Sequence, residues 1–272
     1  MQVGEYEILP VIDGTMRSRP TITFPNTTDD DWQPHRDLLD EFGLLNFAFG
    51  GFLVRGGPAG RVVLVDAGLG HHEMFGKQRG GQMLDSLAAH GVRPEDVTDV
   101  VFTHLHLDHV GWASDAGAVV FSNAAYRCDV RDWEYYYTNP AAAGSSGAGV
   151  SPLKEALTPA ADRVTTWKDD AAILPGINVM HAPGHTPGSA IIVVSSGEAR
   201  ALLLGDVVHC PIELLDDEWA GMMDVDPALA KRTRVALARE IEGKDVPIAA
   251  AHFPDLKFGR LLLGEGQRRW VV

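Results

Sequence analysis

Short apolar runs punctuated by Gly and Pro fill the first hundred positions, and they predict strands. Tyr6–Ile12 (YEILPVI) and Leu45–Val54 are apolar-rich and bounded by Gly or Pro, and Arg61–Asp66 (RVVLVD) has the continuous pattern of a buried strand. The period then changes: Leu84, Leu87 and Ala88 fall on one face of a helix over Gln82–His90, with Gly91 in the stop position. Asp99–Thr103 reads as a further buried strand and runs directly into a group of histidines. Beyond the middle of the chain, strand signals resume at Ile177–Met180, Ala190–Val194 and Ala201–Leu204. A helix closes the set, with Asp226 as its N-cap, Pro227 at its first position, Leu229, Val235, Ala236 and Ile241 as apolar positions, and Gly243 as the stop.

Each half of the chain thus offers several strands and only one or two helices. A doubly wound parallel sheet needs a helix between nearly every pair of strands, so the pattern predicts an α+β fold in which two packed mixed sheets are flanked by helices. Residues 1–272 read as a single domain without internal repeats, and the Gly/Ala/Ser-rich stretch 138–151 reads as a mobile surface loop, a candidate lid together with Tyr135, Tyr136 and Tyr137 ahead of it.

Composition changes the picture mainly by exclusion. With 272 residues, 45% of them hydrophobic and 22% charged, the chain is neither disordered nor collagen-like nor a coiled coil. Its 37 acidic against 23 basic residues give a net charge of −14, which repels phosphate backbones and anionic lipid, so neither nucleic acid nor a membrane surface is expected as a partner. Two cysteines, Cys128 and Cys210, are too few for a disulfide framework and fit a reducing compartment. The N-terminus lacks the basic and apolar regions of a signal peptide, and the apolar stretch Leu44–Val54 is too short to span a bilayer, so the expected location is cytoplasmic.

The chemistry is concentrated in Thr103-His-Leu-His-Leu-Asp-His109. His104 and His106 alternate with leucines and leave the same side of an extended backbone, and a turn after them aims Asp108 and His109 at a neighbouring point. Such a group directly after a buried strand carries a desolvation penalty that a divalent cation would relieve, because neutral imidazole and carboxylate suit zinc and similar ions. Further candidates end other apolar segments: His185 in Ala182-Pro-Gly-His-Thr-Pro-Gly188, Asp206 after Leu203-Leu-Gly, and His252 after Ile248-Ala-Ala-Ala.

Taken together, His-x-His-x-Asp-His over His104–His109, Gly184-His-Thr-Pro-Gly188, Gly205-Asp206 and His252 resemble the metallo-β-lactamase-fold hydrolase superfamily. The resemblance runs from Asp66 to His252 and implies a four-layer αββα sandwich with two divalent metal ions at one edge, zinc foremost and manganese, cobalt or iron as alternatives. By that resemblance His104, His106 and His185 hold one metal, Asp108, His109 and His252 hold the second, and Asp206 bridges them. Asp66 supports the metal loop without binding metal, and Asp108 has a further, catalytic part as a proton shuttle. Two divalent ions offset by Asp108, Asp206 and a hydroxide leave one positive charge, suited to an oxyanion. The implied reaction is attack by a metal-bridging hydroxide on a neutral ester, lactone or organophosphate triester.

Within the superfamily, the commonest class B β-lactamases carry Cys where Asp206 stands, which disfavours β-lactam hydrolysis. The N-acyl homoserine lactone lactonases carry Tyr three residues after the bridging Asp, where this chain has His209. Gly205-Asp-Val-Val-His209 and the tail His252–Arg260 resemble the methyl-parathion-hydrolase-like branch instead, and His209 is the second catalytic candidate, a hydrogen-bond donor to substrate. A homoserine-lactone lactonase is the alternative, and a mononuclear iron persulfide-dioxygenase-like oxidoreductase a further one. Family resemblance also makes a homodimer a possible assembly. Trp112, Trp133, Trp219, Met222, Met223 and Phe253 are either core residues or walls of an apolar substrate pocket, with Trp112 and Phe253 the nearest to ligands in sequence. Cys210 reads as a buried filler, and His35, His71, His72, His90 and His181 as solvent-facing.

Overall fold

The computed structural model describes residues 1–74, 78–139, 151–221 and 223–272. Seven strands make the first sheet in chain order: β1 (Gln2–Val3), β2 (Tyr6–Ser18), β3 (Leu45–Gly56), β4 (Arg61–Val65), β5 (Asp99–Val101), β6 (Ala125–Asp129) and β7 (Val164–Trp167). Neighbours are antiparallel from β1 to β4 and parallel from β4 to β7. Five strands make the second sheet, also in order: β8 (Ala171–Leu174), β9 (Ile177–His181), β10 (Ala190–Ser196), β11 (Ala199–Leu203) and β12 (Ile248–Ala249). Only the β11–β12 pair is parallel. Both sheets are therefore mixed, as the strand-rich halves predict.

Strand alternation explains the layers. In β4, Val63 and Val65 face a core shared with Ile192, Val194 and Leu203, whereas Leu64 faces outward onto a second core with Met83 and Leu87 of helix α1 (Met83–Ala89). In β10, Ile192 and Val194 point to the shared core, while Ile191 and Val193 meet Leu237, Ala238 and Ile241 of a long helix over Pro227–Ile241. Residues apolar on both faces give the continuous runs seen in the sequence, and helices cover both outer faces. The result is an αββα sandwich.

The expected elements are present with small shifts at their ends. The first long strand extends six residues beyond Ile12, to Ser18, across a register shift between Ile12 and Gly14. Pro10 is accommodated because β1 pairs only with Tyr6 and Glu7, so no neighbouring strand needs a Pro10 donor. The Asp226 side chain caps the long helix by accepting from the Leu229 N–H, as the N-cap reading requires. Residues 140–150, which make up most of the expected mobile loop, lie outside the described residues, as does Met222. Among the described residues no helix is long and apolar enough to cross a membrane.

Candidate metal centre

Strand ends from both sheets deliver the donors to one edge of the sandwich. Asp66 follows β4, the His104–His109 run follows β5, His185 follows β9, Asp206 follows β11 and His252 follows β12. His106 is extended (φ −92°, ψ 160°) and caps the helical turn α2 (Leu107–Val110), so the backbone changes course between His106 and Asp108. Gly205 adopts φ +54°, and a Cβ there would overlap the Thr103 side chain; this close approach sets Asp206 against the histidine run. Asp66 is itself left-handed (φ 62°), a conformation that costs a non-glycine residue about 1 kcal/mol or more and is held here by three hydrogen bonds. Its Oδ1 accepts from the Thr103 N–H, and Oδ2 accepts from Thr103 Oγ1 and from His109 Nδ1 at 3.0 Å.

The seven donors of the sequence reading fall into two groups. His104, His106, His185 and Asp206 each present a ligand atom within 4.8 Å of the others, and Asp108, His109 and His252 do the same. His106 Nδ1 lies 3.1 Å from His104 Nε2 and 3.0 Å from His185 Nε2. Asp206 sits between the groups: its Oδ2 is 3.4 Å from His185 Nε2 and 3.1 Å from His252 Nε2, and its Oδ1 is 3.3 Å from His109 Nε2. Asp108 Oδ2 lies 3.5 Å from His252 Nε2.

Each ring is held from outside by its other nitrogen. His104 Nδ1 meets Thr103 Oγ1 at 3.2 Å, His185 Nδ1 meets Asp224 at 3.2 Å, His252 Nδ1 meets the Ala48 carbonyl at 2.9 Å, and His106 Nε2 meets the Tyr136 hydroxyl at 2.9 Å. Outer partners of this kind fix ring orientation and tautomer. Burial pushes the His104, His106 and His185 rings toward the neutral form a metal requires, with His104 and His106 held well below the ordinary histidine value. Burial also opposes ionisation of Asp206, but His252, His109 and His104 outweigh it and hold the carboxyl well down. His109 Nε2 and Asp206 Oδ1 are buried without a hydrogen-bond partner. Three imidazoles held toward the neutral form, two more facing carboxylates, and orphaned inward atoms fit divalent metal.

An apolar cavity of about 790 Å³ opens onto these donors, with Met16, Ile22, Leu44, Phe47, Phe49 and Met223 among its walls and His106, Asp108, His185, Asp206 and His252 at its base. His209 joins that lining, its Nε2 3.5 Å from Asp206 Oδ2 and its ring parallel to His252 with centroids 5.8 Å apart. Burial disfavours the charged His209 ring, yet Asp206 and Glu213 raise its pKa to about 10.

Several expectations need correction. Trp112 does not line the pocket: it is buried in the outer core and its indole N–H donates to Asp13 Oδ1 at 2.8 Å. Phe253 is also core, bordering a smaller cavity of about 380 Å³ on the other side of His209 and His252. Trp219 packs edge-on against Trp32, and Trp133 stacks on Tyr137, so of the described candidates only Met223 lines the apolar cavity. The tyrosines are not arranged as a free lid, because Tyr136 is bonded to His106 and Tyr137 packs against the core. Of the histidines expected in solvent, His71 is exposed, its ring against Trp112, whereas His35, His72, His90 and His181 are half-buried, His90 and His181 each bonded to a backbone carbonyl (Pro10 and Pro187) and His35 packed on Trp219. Cys210 is a buried filler, its thiol pushed by burial to about 12.

Reading the sequence missed Asp132, Asp224, Glu213 and Arg234, all close behind the donors, and gave Tyr136 a place in a lid rather than its contact with His106. Arg234 carried a usable signal: it lies on the buried stripe Ala230, Arg234, Leu237, Ala238, Ile241, and a charge at a core position requires a buried partner.

A sandwich with a two-group histidine–aspartate edge defines a class of metal-dependent proteins. Residues 52–252 match the metallo-β-lactamase superfamily, and the chain belongs to it. The N-acyl homoserine lactonase of Bacillus sp. is 26% identical over 162 residues, 58% of this chain, and that of Bacillus cereus is likewise 26% identical. The chain spans only 56% of the length of these curated relatives. Among solved structures, the hydrolase AbOPH of the beta lactamase superfamily superposes with a TM-score of 0.84 at 26% identity, covering 100% of this chain and 95% of the other. The dizinc quorum-quenching lactonase AidC superposes with a TM-score of 0.83 at 22% identity over 100% and 95% of the two chains, a likeness of fold.

Proposed function

We propose that this protein is a dinuclear metallo-hydrolase acting on a neutral small molecule: an ester, lactone or organophosphate triester. The observation that carries the reading is the convergence of seven donors, six buried and His106 half-buried, in two groups with Asp206 between them, beside an apolar cavity. His104, His106 and His185 would hold one ion and Asp108, His109 and His252 the other, with Asp206 between them. Two such ions supply a water made acidic enough to act near neutral pH and polarise a substrate oxygen.

The chain's own residues supply the rest. Phe47, Phe49, Leu44 and Met16 exclude water and seat an apolar substrate body against the donors. Asp108, within reach of both the cavity and His252, carries a proton to the leaving group. His209 faces the same space and donates to a substrate oxygen. The second group of donors gives a place for a second ion, which favours a dinuclear hydrolase over a single-iron oxygenase, and one iron per loaded chain would reverse that choice. The likeness to N-acyl homoserine lactonases supports a lactone as the specific substrate, and the apolar wall suits an acyl chain.

The test is a panel of metal-loaded protein with an acyl-homoserine lactone, p-nitrophenyl acetate, a phosphotriester and a cephalosporin. The lactone, ester or triester is expected to be turned over, with activity lost on chelation and restored by zinc, manganese or cobalt. Undiminished turnover by metal-free protein, or preference for the cephalosporin, overturns the proposal.

A further inference from the structure

Behind the centre, three buried ionic side chains from separate parts of the chain meet. Glu213 lies on the short helix α3 (Ile212–Leu215), Asp224 on the segment after it, and Arg234 in the middle of the long helix α4 (Pro227–Ile241). All three side chains are 2% exposed or less. Arg234 Nη2 donates to Asp224 Oδ2 at 3.0 Å, and Arg234 Nε lies 3.6 Å from Glu213 Oε1.

Each carboxylate then reaches the centre by a different route. The other oxygen of Asp224 meets His185 Nδ1 at 3.2 Å and so aims Nε2 at the first donor group. Glu213 Oε2 accepts the His209 and Cys210 backbone N–H groups at 2.7 and 3.1 Å, and Oε1 accepts the Gly221 N–H at 3.3 Å. The same Oε2 lies 3.7 Å from His209 Nδ1. Arg234 is the cation these two buried carboxylates share, and without it each would be buried with no counter-charge and would lose the contact that fixes its position.

We infer that Arg234 is a positioning residue shared by both arms of the site: one buried guanidinium sustains Asp224, which orients the ligand ring of His185, and Glu213, which orients the substrate-facing His209 segment. Both carboxylate side chains are withdrawn from solvent, and a lysine cannot reproduce the fork that meets two carboxylates at once. The inference rests on the metal-centre reading above, so its test includes a quantity that needs no substrate.

Zinc affinity is measured by chelator competition, and kcat and KM with whichever panel substrate is turned over. Asp224→Asn is expected to weaken zinc binding about 10–100-fold, the usual loss for an outer partner of a ligand histidine. Glu213→Gln is expected to leave zinc affinity within about twofold and to lower kcat. Arg234→Ala should show both losses, and guanidinium ion at millimolar concentration, but not sodium or ammonium, should restore both by occupying the vacated space. If Arg234→Ala does not fold, Arg234→Lys replaces it, and the two losses are expected there without rescue. Native zinc affinity in folded Asp224→Asn, or loss of zinc affinity in Glu213→Gln equal to that in Asp224→Asn, overturns the two-arm assignment. If no panel substrate is turned over, the hydrolase reading fails while the zinc titrations still decide the Asp224 arm.

Discussion

Asp132 joins the two histidine loops, and its replacement by asparagine sets two physical effects against each other. One oxygen accepts the Leu105 N–H at 2.9 Å and the Thr186 hydroxyl at 2.8 Å, and the other accepts the Gly188 N–H at 2.6 Å. One carboxylate thus ties the His104–His106 segment to the His185 loop. Burial favours the neutral acid; the three donors favour the anion. Burial prevails, raising the Asp132 pKa from 3.8 to about 6.

Because the folded value lies above the unfolded one, the stabilisation from this group is complete below pH 3.8 and disappears as pH rises through 6. Between pH 5 and pH 8 the contribution falls by about 1.4 kcal/mol. Asparagine does not titrate. Its oxygen can serve the Leu105 and Thr186 donors, but its NH2 then confronts the Gly188 N–H, a pH-independent loss of about 1–3 kcal/mol. Urea unfolding of metal-free wild type and Asp132→Asn at both pH values isolates the term, since the other titrating groups are common to the two proteins. The wild-type advantage should shrink by about 1.4 kcal/mol from pH 5 to pH 8. A flat difference, or one that grows with pH, refutes the reasoning, the latter by showing that the three donors outweigh burial.

Two further substitutions probe the scaffold. Tyr136→Phe removes only the hydroxyl that holds His106 Nε2, so zinc affinity by chelator competition should fall about tenfold while the thermal midpoint moves by no more than about 2 °C; unchanged affinity would leave Tyr136 without a part in the centre. Asp13 accepts five backbone N–H groups, from Leu69, Gly70, Gly81, Gln82 and Met83, besides the Trp112 indole. Asp13→Ala strands all of these donors except the Gln82 N–H, which keeps the Asp13 carbonyl at 3.0 Å, and should lower stability in urea unfolding by about 5 kcal/mol, with a loss under about 2 kcal/mol contradicting the count.

The parts legible in the sequence share one property: their partners are close along the chain or their pattern is periodic. The strands Arg61–Val65 and Ala190–Ser196 show as apolar runs because both faces are covered, and the His104–His109 donors are neighbours that one extended segment and one helical turn bring together. His185, Asp206 and His252 were legible because each follows an apolar strand. Asp132 and Tyr136 were not, since each is an ordinary polar residue whose partner lies 27 and 30 positions away. Trp112 misled for the same reason: nearness to His109 in sequence suggested the cavity, but Asp13, 99 positions distant, holds its indole in the core.

The outward attachments also separate folding from metal binding. Rings gripped by Thr103, Asp66, Asp224, Tyr136 and the Ala48 carbonyl are oriented from outside by groups that belong to the folded sandwich. That sandwich also has apolar cores of its own between and outside the sheets. A zinc finger, by contrast, has no such core and unfolds when its ion is removed. Here the inward nitrogens of His104 and His185 lie 3.1 and 3.0 Å from His106 Nδ1 at the edge of a sandwich with apolar cores of its own, so an ion bound there would add to the stability of that fold by mass action rather than create it.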